Sequence, residues 1–146
     1  MTKRWARRIL YAAITLALLF IWSNSILPQQ ESAELSSWVE DFLLRLLKME
    51  SLPFDIRKLA HFCEFALLGA LSGLLLATSE GISPSRTFHH ISLGLYAAVM
   101  DESIQVLTGR GPLVTDVLLD MGGYLCGFAA ILFFRLLIIR RPKRAQ

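Results

Sequence analysis

Charge is scarce in this sequence. Asp, Glu, Lys and Arg make up 18% of its 146 residues, where soluble domains carry about 25%. Cysteine is scarcer still. Cys63 and Cys126 each stand alone inside an apolar stretch, which excludes a metal site built on paired cysteines and reads as two buried free thiols. There is no H-E-x-x-H, no P-loop and no evident activated Ser or Cys nucleophile, so no established catalytic signature is present. Strand-like alternation, internal repeats and low-complexity tracts are also missing.

Apolar residues fill the space. They make up 54% of the chain, and the mean hydropathy is +0.50. Those totals alone fit a soluble protein with a large core. The distribution decides otherwise, because the apolar residues come in runs long enough to cross a bilayer. The net charge is +3, but the basic residues flank these runs instead of lining a polar face, so no nucleic-acid surface is expected.

Four spans are predicted, at about residues 9–27, 59–77, 88–107 and 117–134. The first follows the basic segment Lys3, Arg4, Arg7, Arg8. It is too long for a typical signal core and no A-x-A site follows, so it reads as an uncleaved anchor. Between spans one and two, Pro28-Gln29-Gln30 breaks the helix. Trp38, Val39, Phe42, Leu43, Leu46 and Leu47 then recur at helical spacing with Glu40, Asp41, Arg45 and Lys48 between them. This predicts an amphipathic helix over 34–49, too charged to span, lying in the interface or on the end of the bundle. The fold class is therefore all-α: one domain over 1–146, an integral membrane four-helix bundle with an interfacial helix.

Four spans put both termini on one side. If that side is the cytoplasm, ten of the fifteen basic residues lie inside or at the inner ends, and only one acid, Glu80, joins them. The positive-inside rule favours this orientation. Arg57, Lys58, His61 and Glu64 then sit at the outer end of span two. Asp101, Glu102 and Gln105 sit at the outer end of span three, Arg110 in the next turn, and Asp116 and Asp120 at the outer end of span four. Three helices thus deliver polar residues to one depth. Arg57, His61 and Glu64 share a helix face, as do Asp101 with Gln105 and Asp116 with Asp120. Asp101 lies about 9 Å below its helix end at 1.5 Å per residue, so its carboxylate should face the bundle. Gly69 with Gly73, and Gly123 with Gly127, form GxxxG pairs that let helices approach closely.

These motifs resemble the VanZ-like family. Arg57-Lys58-Leu59-Ala60-His61-Phe62-Cys63-Glu64-Phe65 is similar to its R-K-x-x-H-x-x-E-[YF] signature. Asp101-Glu102-Ser103-Ile104-Gln105 resembles D-E-x-x-Q, and Gly109-Arg110 followed by Asp116 resembles G-R-x(5)-D. Gly122, Gly123 and Gly127 resemble the small-residue stretch that follows. Asp120 stands where the family commonly has Asn, Thr108 where Pro is frequent and Phe65 where Tyr is frequent. The resemblance implies a small multi-span protein of the bacterial plasma membrane and cell envelope. The family's namesake is linked to low-level teicoplanin resistance, so it also implies a tie to glycopeptide antibiotics.

Three readings of the polar cluster are open. Arg57, Lys58, His61 and Arg110 could bind an anionic envelope lipid or a lipid-linked wall precursor, although the surplus of carboxylates repels anions. His61 and Glu64 could pair as a general base, with Asp101, Glu102, Asp116 and Asp120 holding Mg²⁺ for hydrolysis or transfer at a lipid phosphate. Or the charges could form a structural network that fixes helix register. A proton path is disfavoured, because the inner halves of the spans are nearly all apolar. His89 and His90 read as interfacial, and Trp5, Trp22 and Tyr124 as interfacial anchors or packing residues.

Overall fold

A computed structural model describes residues 2–79, 81–109 and 114–140. Among the described residues every regular element is helical: α1 (Lys3–Ile26), α2 (Gln29–Leu47), α3 (Ile56–Ala77), α4 (Pro84–Leu107) and α5 (Val114–Arg140). Arg110, Glu80 and the basic tail beyond Arg140 lie outside the described residues.

Local chemistry sets the boundaries. Leu27 is extended (φ −60°, ψ 135°), as the residue before a proline is driven to be. Pro28 ends α1 but does not delay the next helix. It occupies the position just before the first turn of α2, which begins at Gln29, five residues earlier than its hydrophobic pattern suggests. Proline's fixed φ suits a helix start, where no N–H bond is lost. Lys48 closes α2 in the left-handed region (φ 54°), and Met49 N–H donates to the Leu44 carbonyl at 3.1 Å. Asp55 caps α3 by accepting from the backbone N–H groups of Arg57 (2.9 Å) and Lys58 (3.4 Å). Ser83 caps α4 ahead of Pro84, and Gly109 follows α4 with φ 83°.

Among the described residues three helices are long and apolar enough to cross a membrane: Lys3–Ile26, Ile56–Ala77 and Val114–Ile138. α4 has 24 residues, but His89, His90, Asp101 and Glu102 lower its hydropathy. The distribution of polarity is inverted relative to a soluble protein. Asp101, Gln105, Asp120, Ser25 and Ser72 are buried, whereas Leu16, Phe20, Leu118, Phe133 and Ile138 are exposed. An apolar exterior around a polar interior marks a membrane protein. Cys63 and Cys126 are free thiols as expected, but both are exposed and not buried. Each points away from the helix face that packs against its neighbours.

α1 and α4 run one way, α3 and α5 the other. Ser25 near the end of α1 meets Asp101 near the end of α4, while Arg7 and His90, near their starts, border one cleft. α3 and α5 make the tightest contact, through the glycines. A Cβ on Gly69 would strike the Tyr124 carbonyl, one on Gly123 the Phe62 carbonyl and one on Gly127 the Ala66 carbonyl. Gly73 faces Phe128 and Ile131. The two GxxxG pairs therefore pack within one interface. Phe65, Leu68 and Leu76 of α3, Ala97 and Ala98 of α4, and Tyr124 and Phe128 of α5 fill the core beside it, with Ile14 and Ile21 of α1. Tyr124 is wholly buried, a packing residue and not an interfacial anchor. Its hydroxyl donates to the His90 carbonyl at 2.5 Å, and the Ser72 hydroxyl lies 2.7 Å from it.

Candidate functional site

The polar residues near the Asp55 end of α3 converge with those of α1, α4 and α5. His61 Nδ1 lies 3.6 Å from Asp101 Oδ2 and 4.0 Å from Asp120 Oδ1. These three side chains come from α3, α4 and α5, and their ligand atoms all lie within 4.8 Å of one another. Asp101 and Asp120 are almost completely buried, and Glu102 is 8% exposed. Asp101, Asp116, Glu102 and Glu64 are all near enough to act electrostatically on Asp120.

Hydrogen bonds hold Asp101 on both sides. Ser25 Oγ donates to its Oδ1 at 2.5 Å, and Gln105 Nε2 donates to its Oδ2 at 2.7 Å. Arg57 Nη2 donates to Gln105 Oε1 at 3.0 Å. A guanidinium only donates, so it fixes which way the Gln105 amide faces and directs the amide NH₂ at Asp101. One relay thereby couples a cation on α3 to a buried carboxylate on α4. Thr108 Oγ1 adds a link to the Ser25 carbonyl at 3.3 Å.

Not all the residues singled out in the sequence enter this arrangement alike. The partner shown for Glu64 is Asn24, whose Nδ2 donates to Oε1 at 2.9 Å. Glu64 Oε2 is buried without a hydrogen-bond partner among the described residues. Lys58 is exposed and contributes its backbone N–H to the Asp55 cap. Asp116 is half-buried one turn from Asp120, beside Thr115. Arg110, expected at the same depth, lies outside the described residues.

Asn24 and Ser25 of α1 were not singled out from the sequence. Their signal was present: Ser23-Asn24-Ser25 is a polar triplet at the end of an otherwise apolar span. A cavity of about 80 Å³ opens beside them. Asn24, Arg57, His61 and Glu64 line it, and Ser32 and Ser36 of α2 close it from the side. One water needs about 10–15 Å³ on this measure, so the cavity takes a hydrated ion or one phosphoryl group and not a whole wall precursor.

The donors suit a divalent cation. One imidazole nitrogen and two carboxylates form a mixed nitrogen–oxygen set. The hydrogen bonds from Ser25 and Gln105 are of the kind that would orient Asp101 as a ligand. Two ligands of an ion at 2.3–2.6 Å stand at most about 5.2 Å apart, so the present spacing admits such an ion. An ion at about 2.1 Å requires the side chains to close in by about 0.6 Å.

No curated protein and no solved structure matches the chain. The model of the VanZ/LLP1 family does match, over residues 8–136, and takes in most of α1 and α5, all of α2 to α4 and every residue of the cluster. The chain belongs to the VanZ/LLP1 family.

Proposed function

We propose that this is a four-span protein of the bacterial plasma membrane, with both termini cytoplasmic, that recognises an anionic envelope lipid or lipid-linked wall precursor at its outer face through a bound divalent cation. One observation carries the reading: donor atoms of His61, Asp101 and Asp120 meet within 4.8 Å. A bare cluster of carboxylates repels an anion. A divalent ion held by Asp101 and Asp120 neutralises both and offers an open coordination position to a phosphate oxygen. Arg57, on the cavity wall, adds a donor fork.

The direction of α4 supports the fourth span, since it runs beside α1 from the Arg86 end to the Gln105 end. α2 suits the interface, with Trp38 and Phe42 exposed and stacked at 6.2 Å. A tie to teicoplanin resistance is consistent with capture of a wall precursor and belongs to the same proposal.

A second reading has its own support. The relay Ser25–Asp101–Gln105–Arg57 joins α1, α3 and α4, as a scaffold network would. Metal and lipid content separate the two. Protein extracted gently from membranes should carry about one divalent ion per chain, by elemental analysis. It should also retain phosphate-bearing lipid, by native mass spectrometry. Asp101→Asn with Asp120→Asn should lose both while keeping its helical content. Metal-free wild type that takes up no added Mn²⁺, Zn²⁺ or Mg²⁺ would leave the scaffold reading standing alone.

A further inference from the structure

The opposite end of the helices carries positive charge. α1 and α4 both begin there, so two helix N-termini add their partial positive charge. Lys3, Arg4 and Arg7 of α1 and Arg86 of α4 line one cleft of about 520 Å³, within the range of about 300–1,000 Å³ typical of small-molecule sites. Thr78 and Ser79, just past α3, and His90 complete its wall. Among the described residues none of the four cations is paired with a carboxylate. Arg86 is steadied by the Gly81 carbonyl at 3.0 Å, and Arg7 by the Tyr11 hydroxyl at 3.4 Å. Four cations around a cleft with the Ser79 hydroxyl on its wall describe a phosphate site.

The cleft continues into a second one of about 200 Å³ that shares Arg7, Ser79 and His90. Its further walls are Leu75, Leu93, Tyr11 and His89. The cationic floor thus passes between α1, α3 and α4 to an apolar stretch formed by Leu75 and Leu93. A free phosphate has no use for that stretch. A phospholipid does, with its head group among the arginines and the start of a chain against the leucines.

We infer that the Lys3–Arg86 end holds an anionic phospholipid, bound by its phosphate at Arg7 and Arg86 and by its chain along Leu75 and Leu93. This site is separate from the His61 cluster and does not depend on the function proposed for it.

The test uses the full chain in nanodiscs of zwitterionic phosphatidylcholine, where both ends are accessible whatever the orientation. Short-chain phosphatidic acid and inorganic phosphate are titrated separately, and binding is read by native mass spectrometry. Phosphatidic acid should bind at least about tenfold more tightly than phosphate, because only the lipid reaches the apolar stretch. Arg7→Gln with Arg86→Gln should weaken the lipid about tenfold or more. Arg45→Gln with Lys48→Gln, which removes the same charge from α2, should leave it unchanged. Lys3, Arg4 and Arg8 remain in every variant, and all four substituted residues are exposed, so folding is not at stake. Equal lipid binding by the two charge variants would overturn the assignment. So would inorganic phosphate binding as tightly as phosphatidic acid.

Discussion

Alanine at Gly123 is expected to force α3 and α5 apart, while alanine at the adjacent Gly122 leaves the protein intact. The two glycines face opposite surroundings. A Cβ at Gly123 would collide with the carbonyl of Phe62, whereas at Gly122 its nearest neighbour would be a Phe62 ring atom at 4.0 Å. Backbone cannot swing aside as a flexible side chain can, so the helices must separate. Overpacking of this kind costs about 2–3 kcal/mol. Gly122→Ala should instead be neutral or about 1 kcal/mol stabilising, because alanine prefers the helix. Unfolding in mixed micelles of rising SDS content, followed by circular dichroism, compares them. Gly123 lies one turn from Asp120, so Gly123→Ala should also lower divalent-ion retention. Equal stability of the two variants would mean that α3 and α5 do not approach as closely as described.

Substitution of Asp101 is expected to split stability from ligand retention. Alanine there removes the acceptor that Ser25 and Gln105 both use. Two buried donors lose their partner. The Ser25 bond joins two membrane helices, where such bonds are worth about 0.6–1.7 kcal/mol. The Gln105 bond lies within α4, where an orphaned buried donor costs about 1–3 kcal/mol. Asp101→Ala should therefore lose about 1–3 kcal/mol. Asparagine keeps the shape. Its Oδ1 can accept from Gln105 Nε2, which Arg57 holds in that sense, and its NH₂ can donate to the Ser25 hydroxyl. Asp101→Asn should retain stability within about 1 kcal/mol, or gain some as a buried charge is removed. Both variants should lose the ion and the phosphate-bearing lipid. Ion and lipid retained by Asp101→Asn would contradict a role for the charge, and the carboxylate would then serve register alone.

The same contrast shows what the sequence makes legible. Apolar run length marks α1, α3 and α5 as spans, and the depth of Asp101 below its helix end requires its carboxylate to face inward. The glycine spacings announce a close contact, though not that both pairs share it. Helical periodicity says which side chains share a face, but not which helix lies opposite that face. Glu64 and His61 lie on one face of α3, yet the bond to Glu64 comes from Asn24, forty residues earlier. Ser72, His90 and Tyr124 are likewise ordinary in sequence and form one hydrogen-bonded group, because α3, α4 and α5 cross at the Gly69 and Gly94 contacts. Pro28 shows the limit at element boundaries. Proline's rules fix the end of α1 but leave the start of α2 to the residues beyond it.

Helix pairing at the cluster is tested most directly by thiols placed on α3 and α5. With Cys63 and Cys126 replaced by alanine, His61→Cys and Asp120→Cys put two sulfur ligands beside Asp101. Cadmium titrated into the purified protein should then produce strong cadmium–thiolate absorption at about one ion per chain, well beyond the sum of the two single variants. No more absorption in the double variant than in the two singles together would mean that α3 and α5 hold these positions apart. The shared cation site at His61, Asp101 and Asp120 would then not exist.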